Sequence, residues 1–298
     1  PCTADEVLVT PTKLGIYEAI MAFIDSGDEV ILPDPGWVSY VPMVNLAGGK
    51  AVTVNLDEKD DFRMTPEKVA LAITPKTKMV VLNSPSNPTG TVMTEADFKG
   101  IADIAKDKDL LVLTDEIYEK LVYEGKHVSI GAMPGMYERT ITLNGFSKSY
   151  AMTGWRIGWV VAPKALMKDI DRVQQHSITC CVSFVQKGAL AALKGPQKCV
   201  EDMKAEFRKR RDYVMERMKN SKFFQCRKPS GAFYVWPKYN IKKPSLELAE
   251  YLLQSAHVGM TPGSAFGDAG EGYIRISYAN SMDNLKKGID QIEEAMGK

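Results

Sequence analysis

From residue 29 to residue 162, short apolar runs alternate with longer stretches of mixed polarity. The runs at 29–33 (EVILP), 50–56 (KAVTVNL), 78–83 (KMVVLN), 110–115 (LLVLTD), 140–144 (TITLN) and 157–162 (IGWVVA) are rich in β-branched residues and bounded by Gly, Pro, Asn or Asp. Runs of that kind predict buried strands. Between them, residues 12–25, 37–47, 66–73 and 94–107 place apolar side chains three and four apart, with Thr65-Pro66 and Thr94 as helix starts. Strands alternating with helices predict an α/β fold, a mostly parallel sheet sandwiched by helices. Residues 6–10 also have the character of a folded core.

The pattern changes after Gly195-Pro196. A charged helical stretch at 197–219 is followed by candidate strands at 230–237 (SGAFYVWP) and 273–279 (YIRISYA), with helices at 245–256 and 282–296. We expect a large unit over residues 1–195, and a linker helix with a smaller α+β unit over residues 196–298.

Composition narrows the function classes. The 298 residues are 45% apolar and 25% charged, enough for a substantial core. Lys and Arg number 38 against 37 Asp and Glu, for a net charge of +1. With no basic stripe or acidic tail, nothing favours nucleic acid or anionic lipid, and a small-molecule ligand is expected. The five cysteines have no CxxC pair and no metal-ligand spacing. Reduced thiols in a cytoplasmic setting are expected. No apolar run approaches the roughly 20 residues of a membrane span, and the first residues, PCTADEV, lack an export signal.

Several blocks carry chemistry. In NGFSKSYAMTGWRIGW (144–159), Lys148 and Arg156 lie eight positions apart among glycine, hydroxyl and aromatic residues. A lone lysine is ordinarily a solvated charge. Surroundings this poor in charge would lower its pKa and let it form a Schiff base. Asp115-Glu-Ile-Tyr118 closes an apolar run. An acid there often caps a helix, yet the carboxyl end of a parallel strand is also where α/β proteins bind ligands. Asn83-Ser-Pro-Ser-Asn87-Pro-Thr-Gly90 has the composition of a turn, and it would also present the Asn87 amide rigidly. Val9-Thr-Pro-Thr12-Lys13-Leu-Gly15 opens a helix, either as a plain Thr-capped start or as an anion site, since a helix N-terminus offers free N–H groups. Trp37 is a core residue or a ring partner. Arg275, inside an apolar strand, needs an anionic partner, because an unpaired buried guanidinium is costly.

Together these blocks resemble the class I and II aminotransferases, of the fold-type I pyridoxal-phosphate family, and the prokaryotic aspartate aminotransferases are the branch most resembled. The resemblance runs from residue 7 to the C-terminus. It implies that Lys148 carries pyridoxal 5′-phosphate as a Schiff base and shuttles the α-proton. It further implies that Asp115 meets the ring nitrogen, Tyr118 and Asn87 meet the 3′-oxygen, and Trp37 stacks on the ring. Arg156, Thr12 and Lys13 would hold the phosphate. The family's serine three residues before the lysine is Gly145 here, with Ser147 as a substitute, and Glu116 is a bystander. Arg275 and Asn87 would bind the substrate carboxylate, with Trp37 beside it. Lys13 matches a lysine that meets the distal carboxylate of dicarboxylic substrates in one prokaryotic branch.

The implied activity is transamination between an amino acid, aspartate or glutamate first, and a 2-oxo acid such as 2-oxoglutarate, in a cytoplasmic homodimer. A β-lyase or elimination enzyme, and a non-catalytic ligand-sensing domain, remain open on these residues. The family's amino-terminal segment, about 90 residues, has no counterpart here, so the chain is expected to be a piece of a longer protein.

Overall fold

All six apolar runs form strands of one sheet, and a further strand precedes them. The structure is a computed structural model that describes residues 2–297. Its first half runs β1 (Val7–Thr10), α1 (Thr12–Phe23), β2 (Glu29–Asp34), α2 (Tyr40–Leu46), β3 (Lys50–Asn55), α3 (Pro66–Ala72), β4 (Thr77–Asn83), α4 (Glu95–Asp107), β5 (Leu111–Asp115), β6 (Thr140–Gly145) and β7 (Gly158–Val161). There follow α5 (Lys164–Ser177), α6 (Ser183–Lys194), α7 (Lys198–Asn220), β8 (Phe224–Gln225), β9 (Tyr234–Val235), β10 (Lys238–Tyr239), α8 (Ser245–Ala256), β11 (Thr261–Pro262), β12 (Ile274–Ser277) and α9 (Met282–Met296).

The large sheet has the order β1-β7-β6-β5-β4-β2-β3. Strand β7 is antiparallel to both neighbours, and the other adjacent pairs are parallel. Two reversals leave β1 pointing the same way as β6. The carboxyl ends of β1, β2, β4, β5 and β6 therefore share one edge, where open α/β sheets bind ligands.

Both faces of the central strands β2, β4 and β5 are covered, which is why these strands are apolar runs rather than alternating ones. Val30, Leu32, Met79, Val81 and Leu113 pack with Ile16 and Ile20 of α1, Val44 of α2 and Ile170 of α5. Their strand neighbours Ile31, Val80, Leu82 and Val112 pack on the opposite face with Val69 of α3 and with Phe98 and Ile101 of α4. Each such burial contributes about 2 kcal/mol. The Thr94 hydroxyl starts α4 by accepting from the Asp97 N–H at 3.1 Å, and the Asp97 carboxylate returns the bond to the Thr94 N–H at 2.8 Å.

A second core joins α7, β9, α8, β12 and α9 through Phe207, Val214, Tyr234, Leu248, Leu252, Ile274, Ile276 and Leu285. Ile117, Tyr118, Leu121 and Tyr123 belong to it, so the segment after β5 reaches from the large sheet into this core.

Four expectations change. Residues 230–237 form only the two-residue β9, because much of their backbone bonds to loops instead. Gly231 N–H donates to Gly90 O, Ala232 N–H donates to Leu121 O, and Ser230 O accepts from Tyr123 N–H. The helix expected from residue 37 starts at Tyr40, leaving Trp37 in the preceding turn. Helix α1 is preceded by Pro11 and has no side-chain cap, so Thr12 is not capping it. Helices α5 and α6 occupy a stretch in which the sequence pattern assigns no element.

Gly15 lets the first turn of α1 press against the sheet. A Cβ there would lie 2.7 Å from Val160 Cγ2 and 2.9 Å from Thr10 Cγ2, on β-branched side chains with little freedom to yield. Gly15→Val is expected to destabilise the fold by about 1–3 kcal/mol, as overpacked cores do. Thermal unfolding checks this, and an unchanged Tm would show that α1 can shift without cost.

Candidate active site

The strand ends and α1 surround a cavity of about 350 Å³. Thr12, Lys13, Trp37, Asn87, Asp115, Tyr118, Ser147, Lys148, Arg156 and Arg275 all line it, so the structure brings together every candidate site residue of the sequence. Asn83, Ile117, Thr153 and Tyr234 line it as well.

The floor is built from β4 and β5. Asn83 and Asp115 are register partners at the two strand ends. The Asn83 amide donates to Asp115 O at 3.0 Å, while its Oδ1 accepts from the Asn87 N–H at 2.8 Å, fixing the loop that carries Asn87. Asp115 Oδ1 accepts from Ile117 N–H at 3.2 Å, and Oδ2 accepts from the Tyr40 hydroxyl at 2.9 Å. Both donors are neutral. Burial dominates and pushes the Asp115 carboxyl up to about 6. Burial and the Asp115 charge also hold the Tyr40 phenol well above its ordinary pKa, so it remains a donor. Glu116 points elsewhere, to the Ser129 hydroxyl at 2.7 Å and to His127 Nε2 at 2.8 Å.

Lys148 follows β6 and is half-buried, its Nζ 5.4 Å from the centre of the Phe233 ring and 5.8 Å from that of Tyr118. Its pKa is lowered, first by burial and then by the Arg275 charge, with Arg156 adding to the effect and Asp115 opposing it. A lysine held this way is more readily deprotonated and so more nucleophilic.

One end of the cavity suits an anion. The uncapped first turn of α1 leaves N–H groups free there, beside Lys13, Ser147 and Arg156. Arg156 is held in the left-handed region at φ 54°, and its Nη1 donates to Thr153 O at 2.8 Å. The Thr12 hydroxyl donates to Asn144 O at 3.0 Å. A Cβ at Gly145 would lie 2.2 Å from the Thr12 oxygen, so the hydroxyl of Thr12 takes the space that a serine at 145 would need.

Arg275 keeps the expected need for an anionic partner. Among the described residues no carboxylate pairs with it. Its guanidinium donates to Asn87 Oδ1 at 2.8 Å and Thr261 Oγ1 at 3.1 Å, and lies over the rings of Tyr234 and Phe266 at 4.5 and 4.8 Å. Its Nε is buried without a hydrogen-bond partner. A fork with neutral partners and an unused donor is suited to an incoming carboxylate.

Two further contributors carry no separate sequence signal. Tyr40 reaches Asp115 across 75 positions, and Tyr234 bonds to Tyr118 across 116 positions, with hydroxyls 2.8 Å apart.

The donor set fits pyridoxal phosphate. A buried carboxylate whose hydrogen bonds come from neutral donors suits a protonated pyridine nitrogen, a helix N-terminus with cations suits a phosphate, and a softened lysine suits an aldehyde.

Comparison with known proteins leads to the same place. The sequence profile of the family described as aminotransferase class I and II matches residues 3–292. The chain is 42% identical to aromatic-amino-acid aminotransferase 2 of Thermococcus litoralis, over 98% of this chain and 76% of that protein. It is 44% identical to an aspartate aminotransferase of Pyrococcus abyssi, over 93% and 72%. Among solved structures, aspartate aminotransferase from Thermus thermophilus with maleate superposes with a TM-score of 0.94 at 39% identity, covering 99% of this chain and 77% of that one. The chain thus spans about three quarters of the length of these relatives, and it belongs to the class I and II aminotransferases, enzymes that depend on pyridoxal 5′-phosphate.

Proposed function

We propose that this chain transfers the amino group of a dicarboxylic amino acid, aspartate or glutamate, to a 2-oxo acid such as 2-oxoglutarate. The observation that carries this reading is the placement of two cations in the cavity of Lys148: Arg275, with which no carboxylate of the described residues pairs, and Lys13 over the Trp37 ring at 5.2 Å. One cation for each substrate carboxylate would select a dicarboxylate over alanine.

The roles follow from chemistry and position. Arg275 takes the α-carboxylate in a two-point fork, with Asn87 beside it. Trp37 covers the bound ring, and Asp115 keeps a proton on the ring nitrogen. Tyr118 donates to the 3′-oxygen, while Thr12, Ser147, Arg156 and the first turn of α1 receive the phosphate, with Lys13 at its edge. The cofactor supplies an electron sink, which lets the α-carbon release its proton. Lys148 Nζ takes that proton and redelivers it, and its lowered pKa makes it a readier base than an ordinary lysine.

The division near residue 195 belongs to the same proposal, since the large sheet is formed by strands before it and the shorter sheets by strands after it. So does a cytoplasmic homodimer. Val182, Phe184, Leu190 and Leu193, exposed on and beside α6, offer apolar surface that a second copy would cover. No helix of the described residues is long and apolar enough to cross a membrane.

Substrate choice is tested with Lys13→Ala, by comparing kcat/KM for aspartate, glutamate and alanine. We expect a loss of about tenfold or more for the two dicarboxylates, the size of one partly screened ion pair, and little change for alanine. Equal losses for all three would remove the distal-carboxylate role.

A further inference from the structure

Tyr118 and Tyr234 are both buried, and among the described residues each hydroxyl has only the other as its hydrogen-bond partner, at 2.8 Å. Both side chains line the cavity. Each phenol has one hydrogen, so the pair has two possible directions. If Tyr118 donates to Tyr234, its hydrogen is used and it shows the cavity only a lone pair. If Tyr234 donates, the Tyr118 hydrogen is free to point at a ligand oxygen.

We propose that Tyr234 is a positioning residue whose hydroxyl donates to Tyr118 and so commits the Tyr118 hydrogen to the 3′-oxygen of the cofactor. This rests on the proposed role of Tyr118. An anionic 3′-oxygen needs a donor, and only one direction of the pair provides it. Successive donation also polarises the second hydrogen bond and strengthens it.

The surroundings favour the same direction. The Arg275 guanidinium lies 4.5 Å over the Tyr234 ring. Burial raises the pKa of both phenols, and the Arg275 charge opposes that rise at both, while the Asp115 charge adds to it at Tyr118 alone. The more acidic phenol is the better donor. The edge-on packing of the two rings, with centroids 5.9 Å apart, and the contact of Tyr234 with Phe233 at 4.7 Å hold the hydroxyls in register.

The test uses the cofactor-loaded protein in four forms: wild type, Tyr234→Phe, Tyr118→Phe and the double variant. The visible absorbance band of the bound cofactor is titrated with pH, which follows the proton on the Lys148 nitrogen. A less stabilised 3′-oxygen anion holds that proton more tightly, so Tyr234→Phe should raise the midpoint by about half to one pH unit, the size of one hydrogen bond. Tyr118→Phe should raise it further, and Tyr234→Phe should add nothing in that background, because its effect passes through Tyr118. The dissociation constant of succinate should be unchanged in Tyr234→Phe, since the ring over Arg275 remains. Thermal unfolding shows whether each variant is folded. An unmoved midpoint in a folded Tyr234→Phe protein, or the same shift with and without Tyr118, overturns the relay alone. A wild-type protein with no pH-sensitive band overturns the underlying site assignment and the relay with it.

Discussion

Replacing Lys148 by alanine is expected to reduce transamination by about four orders of magnitude, the upper range for loss of a positioned acid–base group. Lys148→Arg should be as poor. Arginine keeps a positive charge at that position but cannot shed its proton, so the pair separates loss of charge from loss of a titratable amine. The structural reason is that burial and the Arg275 charge lower the Lys148 pKa. A lysine whose folded pKa lies below its ordinary value makes the fold less stable wherever the unfolded amine is protonated, including neutral pH. Lys148→Ala should therefore leave the cofactor-free protein with a Tm no lower than wild type, despite its loss of activity. Borohydride reduction with peptide mapping is the direct check, with label on the 148 peptide in wild type and none in the variant. Label on another lysine, or turnover within tenfold of wild type, would remove Lys148 from its role.

The extent to which the chain could be read in advance follows from which contacts are local. Strands β4 and β5 are legible because both faces are buried, so Met79 to Leu82 and Leu111 to Leu113 are apolar without interruption. Helices α8 and α9 are equally legible, with one buried face at Leu248, Leu252 and Ala256 and another at Leu285, Ile289 and Ile292. Helix α6 is harder to read, because Phe184, Leu190 and Leu193 are exposed and blur its period. Helix α5 does carry the period, at Met167, Ile170 and Gln174, and Pro163 marks its start.

The site divides in the same way. Asp115, Lys148 and Arg156 sit at strand ends or in turns whose local sequence marks them. Tyr40 and Tyr234 act through partners far away in sequence, and no local pattern distinguishes them from core aromatics. Arg275 is the instructive intermediate. The cost of burying a guanidinium correctly says that it needs a partner. It does not say that the described residues supply only neutral ones, Asn87 and Thr261, and leave room for an anion from outside.

Asp115→Asn should show that this site is arranged at the expense of the fold. Turnover is expected to fall by about a thousandfold, comparable to removing one preorganised electrostatic contact, because an amide cannot hold a proton on the ring nitrogen. The cofactor-free protein should become more stable. Asp115 rises from an ordinary 3.8 to about 6 in the fold, mainly through burial. Between those values the unfolded chain has lost its proton and the folded one keeps it. The stability associated with this group is therefore present below pH 3.8 and is lost as pH rises through about 6. That shift corresponds to roughly 3 kcal/mol at neutral pH. Asparagine does not ionise, and it can still accept from Ile117 N–H and meet the Tyr40 hydroxyl, so it avoids the cost. Melting curves without cofactor should place Asp115→Asn several degrees above wild type at pH 8, with the gap closing toward pH 4. Adding pyridoxal phosphate should narrow or reverse it, because a protonated ring nitrogen stabilises the aspartate and not the amide. Equal Tm values across that range, or turnover near wild type, would mean that Asp115 is a structural acid and the ring nitrogen is held elsewhere.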